Sequence, residues 1–155
     1  MDFVIISVSK HSRDNLDAAI EEYRKRVRGG YKLSVITMKP AKGNLSPDER
    51  KKRETERILA RLPKNNPFII ACDEKGKVFS TSEFAETIAS ISGKGRGAVV
   101  FLIGGAYGLD ASLLSRCDLA VSLSSLTLSH RIALLLLAEQ IYRIYTVLTS
   151  HPYAK

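Results

Sequence analysis

Short apolar runs alternate along the chain with longer segments in which apolar residues recur every three or four positions. The runs are FVIISV at 3–8, YKLSVITM at 31–38, PFIIACD at 67–73, VVFLI at 99–103 and LAVSL at 119–123. Apolar, β-branched runs with little alternation are typical of strands buried on both faces. Strands that alternate with helices imply βαβ units. We therefore predict an α/β fold with a mostly parallel, five-stranded sheet and helices on both faces.

The segments between the strands carry helix start and stop signals. Asp14 is a candidate cap for the first helix, which Gly29-Gly30 ends. The second helix has the strongest signal, because Ser46-Pro47-Asp48-Glu49 combines a capping serine, an early proline and the glutamate of a capping box. It runs to about Leu62. The remaining predictions are a turn over 73–77, a helix capped by Ser80 or Ser82, a short helix over 111–116 and a long one over 130–148.

Three of the predicted strands end in loops of small or polar residues. These loops are Cys72-Asp73, Gly104-Gly105 and the segment Ser124 to Leu128. In open α/β sheets, ligands bind at the carboxyl ends of the strands. Glycines lack a Cβ, so the backbone at Gly104-Gly105 can turn sharply and approach a ligand closely. The pattern predicts one binding crevice at this edge.

The chain lacks the common nucleotide and metal motifs. No Gly-Lys-Ser/Thr follows the glycines, GGAYG does not have the G-x-G-x-x-G spacing, and there is no HExxH. Cys72 and Cys117 have no metal-ligand spacing, so we interpret them as small buried hydrophobic residues and predict no metal site. A ligand in the crevice is then held by backbone groups and apolar side chains. Such a site suits an adenine-bearing ligand of moderate polarity better than a triphosphate.

The net charge of +8 is distributed unevenly. Residues 1–64 hold 16 of the 24 Lys and Arg and 9 of the 16 Asp and Glu, which is +7, and the remainder carries +1. The densest runs are 24–28 and 50–53. This asymmetry favours a polyanionic partner, with nucleic acid as the first candidate, although a solvated basic face is the alternative.

The length of 155 residues indicates a single domain, 1–155, that is large enough to bury a core. No signal peptide is visible, and the most apolar segment, 132–138, is too short to span a bilayer. We therefore expect a cytoplasmic protein without a membrane partner.

Three motifs in order, LIGGAYGLD at 102–110, VSLSSLTLSH at 121–130 and AEQIYRIYTVLTSHPYAK at 138–155, resemble the RlmH family of SPOUT-class methyltransferases. The resemblance covers the whole chain and implies a trefoil knot at the C-terminal end of the sheet. It also implies S-adenosylmethionine as cofactor and methylation of N3 of a pseudouridine in the helix 69 loop of 23S rRNA. The assembled ribosome is the expected partner, because so small a domain has no separate RNA-binding module.

The resemblance assigns cofactor-binding positions to the same three loops. A branched side chain at Gly105 is expected to occupy the adenosine space. By position, the cofactor-binding residues are Cys72, Gly104, Gly105, Leu123, Ser124, Ser125, Leu126, Thr127 and Leu128.

The target nitrogen loses a proton during methylation, so a hydrogen-bond acceptor is expected nearby. The candidates are His130, His151 and Tyr153. His130 could instead cap the last helix. The tail that carries His151 and Tyr153 could reach the pocket of a partner subunit, since family members act as homodimers with sites at the subunit interface. The family tail usually ends Tyr-His followed by a basic residue, where this chain has Tyr153-Ala154-Lys155.

We expect residues 10–64 to form the basic RNA-docking face. Its predicted RNA-binding residues are Arg50, Lys51, Lys52 and Arg53, and a further candidate is Arg143, for which an ion pair with Glu139 is the alternative. The last helix carries more apolar surface than one small domain needs to cover, which favours a homodimer seam. The residues of that seam are Ile132, Leu135, Leu136 and Ile144.

Two other functions are compatible with these features. One is a non-catalytic factor that binds RNA or the ribosome and retains the fold. The other is a different small-molecule enzyme that uses the glycine loop to bind a nucleotide, such as ATP or NAD.

Overall fold

The computed structural model describes residues 1–10, 15–92 and 94–154. Its centre is a five-stranded sheet of order β2-β1-β4-β3-β5 in which every neighbouring pair is parallel. This arrangement confirms the predicted fold class. The strands are β1 Asp2–Val8, β2 Lys32–Met38, β3 Phe68–Val78, β4 Ala98–Ile103 and β5 Leu119–Ser122.

In the described part of the chain, four α-helices connect the five strands and a fifth follows β5; a 3₁₀ turn at Pro152–Ala154 comes after that last helix. The capping box at α2 is confirmed, since the Glu49 amide donates to Ser46 Oγ at 3.2 Å and the Ser46 amide donates to Glu49 Oε2 at 2.8 Å. Ser80 caps α3 through the same exchange with Glu83. The predicted cap at Asp14 lies outside the described residues. The helices are α1 Leu16–Arg26, α2 Pro47–Leu59, α3 Thr81–Ser92, α4 Ala111–Leu114 and α5 His130–Leu148.

The two faces of the sheet are covered by different helices. One layer of the core joins α1, α3 and α5 to side chains such as Phe3, Ile5 and Phe101. The other joins α2 and α4 to the alternate strand positions, among them Ile6 and Leu102. Both β1 and β4 are buried along almost their whole length, as their apolar runs predict. Helices on both faces are therefore confirmed.

One prediction about β3 is wrong. The segment 73–77 was expected to turn, but the strand continues to Val78 and its pairing with β5 shifts register between Cys72 and Lys77. Gly76 allows the backbones of β3 and β5 to come this close, because a Cβ at position 76 would lie only 2.5 Å from the Val121 nitrogen. The pairing partner comes from a distant segment, so local turn propensity did not reveal it.

The long helix α5 lies on the densely packed face and is 19 residues long. Of the residues predicted to form a dimer seam, Ile144 is fully buried within the protomer, so its assignment to an exposed seam is wrong. Leu135 is half-buried and packs on the core. Ile132 is 43 % exposed, and Leu136 is half-buried.

The trefoil knot that the family resemblance implies stays a prediction. Within residues 1–10, 15–92 and 94–154, no helix combines the length and apolar character that crossing a membrane requires.

Candidate active site

The ends of β3, β4 and β5 and the start of α5 enclose a cavity of about 630 Å³. The three loops that the sequence analysis assigned to one edge line it together. Ser125 is the one predicted cofactor-binding residue that is not part of the lining. The predicted residues that line the cavity are Cys72, Gly104, Gly105, Leu123, Ser124, Leu126, Thr127 and Leu128.

The glycine loop after β4 is a tight turn. The Gly108 amide donates a hydrogen bond of 2.9 Å to the Gly105 carbonyl, and Gly108 has a φ of +77°, which favours glycine. A Cβ at Gly104 would lie 2.6 Å from the Gly108 carbonyl carbon. Gly104 is therefore needed for the turn to close against itself.

The space around Gly105 differs from the expectation. A Cβ at this position would lie 2.7 Å from Glu54 Oε2 and 3.3 Å from Val8 Cγ1. A larger side chain here would thus press on Glu54 of α2. A branched residue at Gly105 was expected to occupy the adenosine space, but this geometry shows that it would first displace the Glu54 carboxylate.

The serine loop after β5 is held by its own hydroxyl groups. Ser122 Oγ donates to the Ser124 carbonyl at 3.0 Å, and the Leu126 amide donates to Ser124 Oγ at 2.9 Å. Leu126 is 76 % exposed at the cavity, and Tyr107 on the glycine loop is 54 % exposed. Both side chains are therefore available to contact a ligand in the cavity.

The polar end of the cavity was not identified from the sequence. Asp73, Glu74 and Lys75 line it because β3 continues past Cys72 instead of turning. Burial raises the pKa of the Cys72 thiol to about 12. At neutral pH this thiol is protonated, so Cys72 is a neutral lining group and not a nucleophile.

His130 is the only one of the three candidate proton acceptors that lines the cavity in the described part of the chain. The alternative of His130 as helix cap is wrong, because the Ile132 amide donates to Ser129 Oγ at 3.4 Å and Ser129 is the N-cap of α5. His130 is the first residue of α5, so the helix holds its backbone in place at the edge of the cavity.

His151 and Tyr153 lie beyond the opposite end of α5. A helix of 19 residues spans about 28 Å, so the tail is remote from the cavity of its own protomer. The Tyr153 ring packs on Tyr142, with 4.7 Å between centroids, and the Arg143 guanidinium lies 5.3 Å from its centroid. Arg143 also forms the ion pair with Glu139, at 2.5 Å.

The predicted RNA-binding residues of α2 divide into two kinds. Arg50 donates to the backbone carbonyls of Ala41 and Gly43, and Lys51 pairs with Asp48 at 3.3 Å. Lys52 and Arg53 are exposed.

Two basic residues of α2, Lys51 and Lys52, act on Asp110, which lies next to a lining residue of the cavity. The Ser112 hydroxyl and amide, and secondarily the charges of Lys51 and Lys52, hold the pKa of Asp110 below its usual value. Asp110 follows Leu109, which lines the cavity.

Glu54 is a structural residue that the sequence analysis missed. It is 4 % exposed, and its Oε1 accepts a hydrogen bond of 2.9 Å from the Ala41 amide. Arg57 donates to the Lys39 carbonyl at 2.8 Å. Together with Arg50, these side chains attach loop 39–43 to α2. The sequence does not reveal that Glu54 is buried between this loop and Gly105, because its neighbours along the chain are mostly charged residues.

Comparisons with known proteins identify the class to which this fold and cavity belong. The chain belongs to the SPOUT methyltransferase family, because the family model described as "Predicted SPOUT methyltransferase" matches residues 1–154. SPOUT methyltransferases use S-adenosylmethionine.

Relatives of known name match over the full length of both chains. The chain is 38% identical over 160 residues to "Ribosomal RNA large subunit methyltransferase H" of Carboxydothermus hydrogenoformans and 35% identical over 159 residues to the protein of that name from Clostridium botulinum (strain Okra). A solved structure described as a probable methylase family protein, from Haemophilus influenzae Rd KW20, has a TM-score of 0.55 at 15% identity. The match covers 99% of this chain and 70% of the Haemophilus chain, and it supports the fold.

Proposed function

We propose that this protein uses S-adenosylmethionine to methylate N3 of a pseudouridine in the helix 69 loop of 23S rRNA, on the assembled ribosome in the cytoplasm. Family membership and the names of the full-length relatives support a methyltransferase of large-subunit rRNA. The observation that carries the proposal is the single cavity lined by Cys72, Gly105 and Thr127, which are far apart in sequence.

The cavity fits the cofactor by size and by chemistry. Its volume of about 630 Å³ lies within the usual range for sites of this kind. Leucines from the glycine and serine loops supply apolar walls for the adenosine portion. Asp73 and Glu74 supply negative charge and Lys75 supplies positive charge, which match a ligand that carries a sulfonium and an amino acid group.

The residues of this chain contribute positioning more than covalent chemistry. When bound, S-adenosylmethionine would supply an electrophilic methyl group to N3 and would leave as the neutral thioether S-adenosylhomocysteine, while the N3 proton passes to an acceptor. The glycine and serine loops hold the donor in one orientation, which supplies much of the rate enhancement in a displacement reaction. His130 lines the cavity and is our candidate to accept the N3 proton.

We further propose a homodimer that forms through the region of α5. Ile132 and Val147 are 43 % and 46 % exposed, and Leu136 between them is half-buried. These positions fall along one side of the helix. Packing of two such faces would bring the tail of one subunit, with His151 and Tyr153, toward the cavity of the other. That placement supplies a role for a tail that, in its own protomer, packs on the C-terminal half of α5 and does not line the cavity.

RNA docking is assigned to the exposed side of α2 and to the rest of the basic segment 10–64. Lys52 and Arg53 are the exposed cations of the predicted run. Arg50 shapes loop 39–43 and so acts on docking indirectly. Arg143 remains a candidate contact for phosphate, although it would have to leave Glu139 to make one.

Mass spectrometry of 23S rRNA from cells with and without this protein tests the proposal. We expect one methyl group on the helix 69 loop to be lost in its absence and restored by the purified protein with S-adenosylmethionine and ribosomes. Calorimetry with S-adenosylmethionine, ATP and NAD completes the test. Binding of none of them would favour a non-catalytic RNA-binding factor, and preference for ATP or NAD would favour a different nucleotide-using enzyme.

A further inference from the structure

A second, smaller groove of about 320 Å³ adjoins the cavity. It lies between the end of β1 at residues 8–10, Pro40 of the loop that α2 holds, and the start of α5 at residues 129–131. Ala106 and His130 line both the groove and the cavity. A ligand in the groove would therefore meet a ligand in the cavity beside the His130 imidazole.

The groove contains a buried hydroxyl group without a partner. Ser9 is 4 % exposed, and its Oγ has no hydrogen-bond partner among the described residues. A buried polar group that makes no hydrogen bond costs free energy, so its retention calls for an explanation. Ser9 lines the groove, so a change of its χ1 rotamer would turn the hydroxyl toward a ligand bound there, and that ligand would supply the missing partner.

The remaining walls define the kind of ligand that fits. Val8, Pro40 and Ala106 are apolar and suit the faces of a flat ring. Lys10 is exposed and lines the groove. The N-terminus of α5 also meets the groove, and a helix N-terminus attracts anions. An apolar slot bordered by positive charge matches a nucleotide, with its base inside and its phosphate at the rim.

We propose that this groove binds the nucleotide of the RNA that accepts the methyl group. Ser9 Oγ donates to a carbonyl oxygen of the base, and Lys10 lies beside the adjoining phosphate. The inference rests on the proposed function and assigns the acceptor to a place that the cofactor loops do not occupy. It also explains why α2 holds both sides of Pro40, through the Lys39 carbonyl and the Ala41 amide.

A pair of serine variants tests the role of the hydroxyl. Ser7 also has a buried Oγ that finds no hydrogen-bond partner within residues 1–10, 15–92 and 94–154, but Ser7 does not line the groove. We expect Ser9→Ala to lower kcat/KM for 70S ribosomes about tenfold, the effect of one lost hydrogen bond, with a melting temperature no lower than that of the wild type and unchanged affinity for S-adenosylmethionine. Ser7→Ala should retain the wild-type kcat/KM. Equal rates for Ser9→Ala and the wild type, or equal losses in both variants, would overturn the assignment.

A second pair tests the charge at the rim. Lys10→Glu should raise KM for ribosomes at least tenfold, while Lys94→Glu, an exposed lysine just before β4 at the opposite edge of the sheet, should not. If the wild type methylates 23S rRNA and Lys10→Glu behaves like it, the groove assignment fails alone. If the wild type binds S-adenosylmethionine but methylates no rRNA, the proposed function fails as well.

Discussion

Helices α2 and α5 are held to the same sheet by different forces. Eight of the 19 residues of α5 are buried, and apart from Thr146 they are apolar or aromatic. Only three of the 13 residues of α2 are buried, and two of these, Glu54 and Thr55, are polar. Helix α5 is therefore anchored by the hydrophobic effect, whereas helix α2 is anchored largely by hydrogen bonds to loop 39–43.

The difference separates stability from site geometry. Loss of apolar contact in α5 should weaken the whole fold, because its side chains complete one layer of the core. Loss of a polar contact in α2 should act mainly on the loop that borders the smaller groove. Substitutions in the two helices can therefore distinguish the two effects.

The largest effect is expected for Leu137→Ala in α5. Leu137 is fully buried, so its truncation should lower the free energy of unfolding by about 3 kcal/mol. Denaturant titration measures this change. Val78→Ala, at a residue that is 61 % exposed, serves as the control and should change stability by less than about 0.5 kcal/mol. A small loss at Leu137 would mean that α5 is not anchored by burial.

The next largest effect is expected for Glu54→Ala. The Ala41 amide loses its partner, which should cost about 1–2 kcal/mol and speed hydrogen exchange in loop 39–43 about tenfold. Methylation should decrease as well, since Pro40 loses support. Glu56→Ala, an exposed position on the same helix, is the control. Unchanged exchange at Ala41 would show that Glu54 does not hold the loop.

A smaller effect is expected at the two helix caps. Ser46→Ala should lower stability by about 1 kcal/mol, because it removes the Ser46 Oγ that accepts the hydrogen bond of 3.2 Å from the Glu49 amide. Ser129→Ala should cost less, since its single bond of 3.4 Å is long. Thermal unfolding of both variants gives the comparison, and a greater loss for Ser129→Ala would contradict it.

Neutralising the exposed cations of α2 should leave stability unchanged. Lys52→Gln with Arg53→Gln should instead weaken ribosome binding and reduce its salt dependence by about two units of slope. The double variant Lys94→Gln with Arg116→Gln, at exposed positions before β4 and β5, is the matched control. An unchanged slope in the α2 variant would identify Lys52 and Arg53 as part of a solvated face.

The sequence predicted features that depend on local signals. Ser46 and Glu49 lie three residues apart, so their capping box is visible without a structure. The convergence of Cys72, Gly105 and Thr127 followed from the rule that parallel strands end at one edge. The features that were missed depend on partners remote in sequence. The path of β3 beyond Cys72 depends on β5, and the burial of Ile144 depends on how α5 rotates against the sheet.

The position of Tyr107 on the glycine loop offers a spectroscopic use. The chain contains no tryptophan, and Tyr107 is 54 % exposed where it lines the cavity. Tyr107→Trp would place the single indole of the protein at the mouth of the site. Its emission could then be excited apart from the tyrosines, and titration would report occupancy of the site directly, without a label and without turnover.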